Sequence, residues 1–130
     1  MRQEWKRHAL GEEENNMRKI IEVPYIDQSV SYPTGCESVS ATMLLQYLGY
    51  EITVDEFIRN YVTCVPMQER DGQMYGPDPR KAFCGSPYDK DSFGCYAPVI
   101  CEALQKAVGD RYRVVDETGT SRQELIRRYI

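Results

Sequence analysis

The chain has 130 residues, enough for one domain or part of a larger one. Its hydrophobic share of 42% is that of an ordinary globular protein, and its net charge of −4 argues against nucleic acid as the main partner, because such binders present a basic surface. No apolar run approaches membrane-span length, and the polar stretch from Met1 to Asn16 lacks the apolar centre of a secretory signal.

Residues 1–18 show no clean period. Trp5 and Leu10 stand isolated among charges, and Glu12, Glu13 and Glu14 form a solvated run. An N-terminal arm, mobile or weakly helical, is expected there, ahead of a folded domain over residues 19–130. Lys19 to Val23 is a β-branched run ended by Pro24 and reads as a strand. Tyr25 to Gly35 is a loop rich in Ser, Asp, Pro and Gly. Cys36 to Gly49 reads as a strong helix, with apolar or small residues at helical spacing. Ser38, Ser40, Ala41 and Thr42 keep its first turns slim, and Gly49 is placed to end it. Thr53 and Glu56 make a capping box for a helix that carries Phe57, Ile58, Tyr61 and Val62 inward. Residues 36–62 therefore form a helical hairpin.

Residues 64–95 read as a long irregular section punctuated by Pro and Gly. Its aromatics, Tyr75, Phe83, Tyr88 and Phe93, argue for a packed loop over a free linker. Pro98 opens the next helix, Val99, Ile100, Ala103, Leu104 and Val108 follow at helical spacing, and Gly109 ends it. Tyr112 to Asp116 reads as a second strand. Ser121 and Glu124 form another capping box, opening a helix through Leu125, Ile126 and Tyr129.

Cys36 carries the chemistry. It follows a glycine turn at a helix start, where the positive end of the helix dipole and unpaired backbone N–H groups favour the thiolate. The plain alternative is a small packing residue on a buried helix. Gln28 is either a loop glutamine or, paired with the backbone N–H of Cys36, a donor for the negative oxygen that develops in acyl transfer. Such a thiol needs an imidazole base. His8 is the sole histidine and reads as a surface residue of the arm. Asp27, Asp55, Asp78 and Asp116 are too acidic to replace it near neutral pH.

The five cysteines, Cys36, Cys64, Cys84, Cys95 and Cys101, fit one catalytic thiol with up to two disulfides, or five reduced thiols. Cys84 and Cys95 bracket a turn-rich loop and are the first pair to test in an extracellular protein. No C-x-x-C pair occurs and the histidine is remote, so a structural zinc site is disfavoured. Asp78, Asp89 and Asp91 lack calcium-loop spacing and read as turn chemistry. No metal or cofactor is expected. The ten tyrosines suit a peptide groove or a packed interior equally.

Three blocks then resemble the C39-like peptidase family of the papain-like superfamily. They are Val23-Pro24-Tyr25-Ile26-Asp27-Gln28, Gly35-Cys36-Glu37-Ser38 with the Val39-Ser40-Ala41-Thr42-Met43 that follows, and Leu48-Gly49-Tyr50. Gly76-Pro77-Asp78-Pro79, Gly85-Ser86-Pro87-Tyr88 and Gly94-Cys95-Tyr96-Ala97-Pro98 extend the likeness. The resemblance implies an α+β, papain-like fold, mainly its helical half around the nucleophile helix, with the β half largely missing. It implies Cys36 as nucleophile, Gln28 in the oxyanion position, and a peptide or protein substrate. Family members are mostly bacterial and many are exported or at the cell surface. The family's histidine and its Asp or Asn partner lie on later strands, beyond the helix that starts here at Ser121, so an incomplete triad is implied for this chain. The rival expectation is a non-catalytic module that binds a peptide or partner protein, with a second chain or a dimer covering the missing half. An acyl transferase of the transglutaminase type is a third. The branch that cleaves leaders after double glycine typically has Asp-Cys-Gly at the nucleophile, where this chain has Gly-Cys-Glu.

Overall fold

The helix expected after Gly35 forms over Cys36–Tyr47 (α1). Leu48 caps it, and Gly49 follows at φ +95°, the left-handed conformation that glycine adopts without strain. Its slim early residues let neighbours approach: Ser38, Val39, Ala41, Thr42 and Leu45 are all buried. The Thr42 hydroxyl donates to the Ser38 carbonyl 2.8 Å away, one turn back, and so is satisfied inside the helix. Ser38 Oγ is buried with no hydrogen-bond partner among the described residues.

The structure is a computed structural model that describes residues 20–130. The arm and His8 lie outside the described residues. Residues 23–116 form one compact unit; residues 20–22 and 117–130 belong to a second.

Within the first unit, α2 spans Val54–Tyr61. Thr53 Oγ1 accepts from the Glu56 N–H at 3.2 Å, as the capping box requires. The Glu56 carboxylate takes the Thr53 hydroxyl hydrogen at 3.2 Å in return. Val39 of α1 meets Val54 and Ile58 of α2 in a small cluster backed by Ile26, Tyr32 and Met43. The main core joins Ala41 and Leu45 to Phe57, Val62, Phe83, Val99 and Ala103. Phe57 and Phe83 are both 0% exposed. Burying a side chain of that kind contributes about 1.5–3 kcal/mol. Helix α3, Ala97–Val108, carries Pro98 in its first turn and is closed by Gly109, as expected.

The section from residue 64 to 95 differs from its expectation. It holds four short strands: β1 (Cys64–Val65), β2 (Gln68–Arg70), β3 (Gln73–Tyr75) and β4 (Phe83–Cys84). β1 pairs parallel with β4, with Cys64 opposite Phe83. β2 and β3 form an antiparallel hairpin. Its two turn residues, Asp71 and Gly72, both have positive φ, at 52° and 78°. That is the Asp-Gly turn whose twist matches paired strands. Of the four aromatics in this section, Phe83 alone is buried; Tyr75, Tyr88 and Phe93 are exposed.

Two expected strands do not form. Residues 20–28 pair with no strand, and Ile20, Ile21 and Val23 are exposed. A β-branched run becomes a strand only against a partner ladder; here Ile26 N–H meets Met43 Sδ at 3.3 Å. Tyr112 to Asp116 is likewise irregular. The Gln105 side chain takes the place of a neighbouring strand: its amide donates to the carbonyls of Gly109 and Tyr112, and its oxygen accepts the Val114 N–H, each at 2.9 Å.

In the second unit, α4 spans Arg122–Tyr129, with Ser121 Oγ accepting the Glu124 N–H at 3.2 Å. The Glu124 carboxylate does not return to the cap; it accepts from Arg127 and Arg128. The fold is α+β with helices dominant. Among the described residues no helix is long and apolar enough to cross a membrane.

The unpartnered Ser38 hydroxyl makes a test of the packing. Ser38→Ala is expected to raise stability by about 1 kcal/mol, because it removes a buried polar atom that bonds to nothing. A higher urea midpoint at unchanged slope is the expected reading.

Candidate active site

The turn before α1 is built on Tyr32. Its N–H donates to the Gln28 carbonyl at 3.0 Å, and its carbonyl accepts the Gly35 N–H at 3.0 Å. The Gln28 side-chain amide donates to that same Tyr32 carbonyl at 3.3 Å. Gly35 is a glycine for lack of room: a Cβ there would lie 2.9 Å from Tyr32 Cβ and 3.3 Å from Pro87 Cβ. Gly35 is also the N-cap, and with no side chain it caps nothing. The first bond of the helix, Val39 N–H to the Gly35 carbonyl, closes at 2.9 Å. The earlier N–H groups of α1, that of Cys36 included, are left without helical acceptors.

A second segment closes over this turn. Thr34 Oγ1 lies 2.6 Å from the Asp89 carbonyl and 3.1 Å from that of Ser86. Ser92 Oγ accepts the Ser86 N–H at 2.8 Å and holds the loop in shape. Asp55 then ties both segments to α2. Its Oδ1 accepts the Tyr32 hydroxyl at 3.0 Å and the Tyr88 hydroxyl at 2.8 Å. These bonds, that from Tyr88 first, hold the Asp55 carboxyl below its usual range.

Cys36 is exposed at the head of the helix. Its thiol is not lowered, contrary to expectation. Partial burial of the sulfur raises it first, and the Glu37 carboxylate adds to this by accepting from Sγ at 3.3 Å and by repelling the thiolate. The backbone N–H groups of Glu37 and Cys36 pull the other way and are outweighed. Loss of water around the sulfur disfavours the charged form, and a neighbouring carboxylate adds to that. Glu37 Oε1 also accepts the Cys95 N–H at 3.4 Å, so one carboxylate bridges the helix start and the segment before α3. Gly94 leaves the space: a Cβ there would meet Glu37 Oε1 at 3.1 Å.

All five cysteines are free thiols. Cys84 bridges to Gly94, the residue before Cys95, and no disulfide joins the two cysteines. Cys84 Sγ donates to the Pro77 carbonyl at 3.2 Å. Burial raises the thiols of Cys64, Cys84 and Cys101. Burial, then Glu37 and the thiols of Cys64, Cys36 and Cys84, push Cys95 up to about 12. Among the described residues no three His, Cys, Asp or Glu side chains gather as a metal site.

The sequence model of the Peptidase_C39 like family matches residues 20–130. The chain belongs to that family. Protein YvpB of Bacillus subtilis strain 168, itself uncharacterized, is 34% identical over 87 residues, covering 67% of this chain and 33% of the relative. A crystal structure designated a C39-like peptidase, from Bacillus anthracis, superposes with a TM-score of 0.66 at 28% identity, over 82% of this chain and 51% of that one. The chain thus spans a third to a half of the length of these relatives.

Gln28 and Cys36 are joined through Tyr32 and Gly35, at the two ends of one turn. Two carboxylates, Glu37 and Asp55, shape their surroundings. Glu37 carries a signal in sequence, as the residue next to the thiol. The pairing of Asp55 with Tyr88, 33 residues apart, carries none.

Gly35→Ala is expected to destabilise the fold by about 1–3 kcal/mol through overpacking against Tyr32 and Pro87, measured by chemical denaturation. Glu37→Gln removes the charge but keeps an acceptor. Its expected outcome is a Cys36 thiol that ionises at lower pH, so that iodoacetamide labels Cys36 faster at neutral pH and the midpoint of the rate–pH profile moves down.

Proposed function

We propose that this chain carries the nucleophile portion of a cysteine peptidase site acting on peptide bonds. The observation that supports this is the single turn that ties Gln28 to Tyr32 and delivers Cys36 at an uncapped helix start. Cys36 Sγ gives its proton to an imidazole and bonds to the substrate carbonyl carbon. The oxygen that becomes negative is held by the Gln28 amide and the Cys36 N–H. The imidazolium then protonates the leaving amine as the C–N bond breaks, and water hydrolyses the thioester. The imidazole comes from outside the described residues, which contain no histidine. Partial burial and the Glu37 carboxylate both favour the neutral thiol that this base would deprotonate.

A peptidyl epoxide is expected to modify Cys36 ahead of the other four cysteines, with free imidazole supplying the base. Any turnover of a peptide ester should fall on the order of 10³-fold or more in Cys36→Ala. Uniform labelling of the five thiols, located by peptide mass spectrometry, would count against the proposal.

The bond between Cys36 and Glu37 supports a second reading, a non-catalytic module of the family that binds a peptide or partner protein. Peptide affinity that survives Cys36→Ala, with no product formed even in imidazole, separates the two.

A further inference from the structure

We propose that Asp55 is a positioning residue for the candidate site, setting through the phenols of Tyr32 and Tyr88 the turn that aims Gln28 and delivers Cys36. This rests on the oxyanion role proposed for Gln28. Asp55 lies in the first turn of α2, where any carboxylate is favoured by the helix dipole. That role needs no tyrosines, yet Oδ1 accepts two phenols at 3.0 and 2.8 Å. A charged acceptor strengthens a hydroxyl's hydrogen bond. The two rings lie 5.6 Å apart, tilted at 48°, so both phenols converge on one oxygen. Arg59, one turn along α2, adds its positive charge beside this carboxylate.

The clamp acts on the two segments that enclose Gly35. Tyr32 is bonded at both its N–H and its carbonyl to Gln28, main chain and side chain. Tyr88 follows Pro87, whose Cβ closes on Gly35 from the other side. A Tyr32 ring released from Asp55 can swing, and its carbonyl can turn with it. The Gln28 amide then loses its fixed acceptor. The clamp's hydrogen bonds end on Tyr32, Tyr88 and Asp55 and not on Cys36 Sγ, so a simple displacement at the thiol serves as the internal reference.

The test compares Asp55→Ala, which deletes the acceptor, with Asp55→Asn, which keeps Oδ1 without the charge. The Gln28 side-chain amide, assigned in nitrogen-15 spectra by its loss in Gln28→Glu, reports position whether or not the chain is a peptidase. The expected result is a shifted, broadened Gln28 amide in Asp55→Ala and recovery toward the parent signal in Asp55→Asn. Tyr32→Phe, which removes one oxygen alone, should move the signal in the same direction if the alanine variant does not fold. An unmoved Gln28 amide in a folded Asp55→Ala or Tyr32→Phe protein overturns the proposal. Chemistry at Cys36 then separates it from the peptidase reading. Addition to a peptide aldehyde develops an oxyanion and iodoacetamide displacement does not. The ratio of the two rates should fall on the order of tenfold in Asp55→Ala. A Gln28 amide that moves while this ratio stays constant supports the clamp and removes Gln28 from the oxyanion site.

Discussion

Close packing at Gly35 is the constraint on which the site depends. A single Cβ at that position would press on Tyr32 and Pro87 together. Because no side chain intrudes, the turn before α1 and the loop around residue 87 meet over the helix start. The loop is then stitched down by Thr34 and clamped by the two phenols on Asp55. The same absence of a side chain leaves the first N–H groups of α1 uncapped. One missing methyl thus allows the approach of two segments and leaves the helix start without a side-chain cap.

Burial and charge together act on the thiol. A helix start favours a thiolate, but only as a partial charge spread over several N–H groups. Glu37 is adjacent and within hydrogen-bond reach, and after partial burial of the sulfur it raises the thiol further. The same carboxylate binds the Cys95 N–H, so it also joins α1 to the segment that leads into α3.

Much of the helical framework was legible in the chain. Two Ser/Thr-x-x-Glu boxes, Pro98, Gly49 and Gly109 marked helix ends that formed where expected, since caps act over three or four residues and are written locally. The strands were less legible. Asp71-Gly72 is a strong hairpin signal that the surrounding glycines and prolines hid. Ile20 to Val23 and Tyr112 to Val115 have strand composition but no ladder, because a strand exists only through its neighbour. At the second of these, Gln105 supplies the bonds that a neighbouring strand would.

The sequence by itself determined the helices, the position of a cysteine behind a glycine turn, and the family to which those blocks point. Each is a matter of neighbours along the chain. The tertiary structure alone decided the meeting of the Tyr32 and Tyr88 phenols on Asp55 and the bond from the Cys95 N–H to Glu37. Those join groups that lie tens of residues apart, where distance in space, not order in the chain, sets the interaction energy.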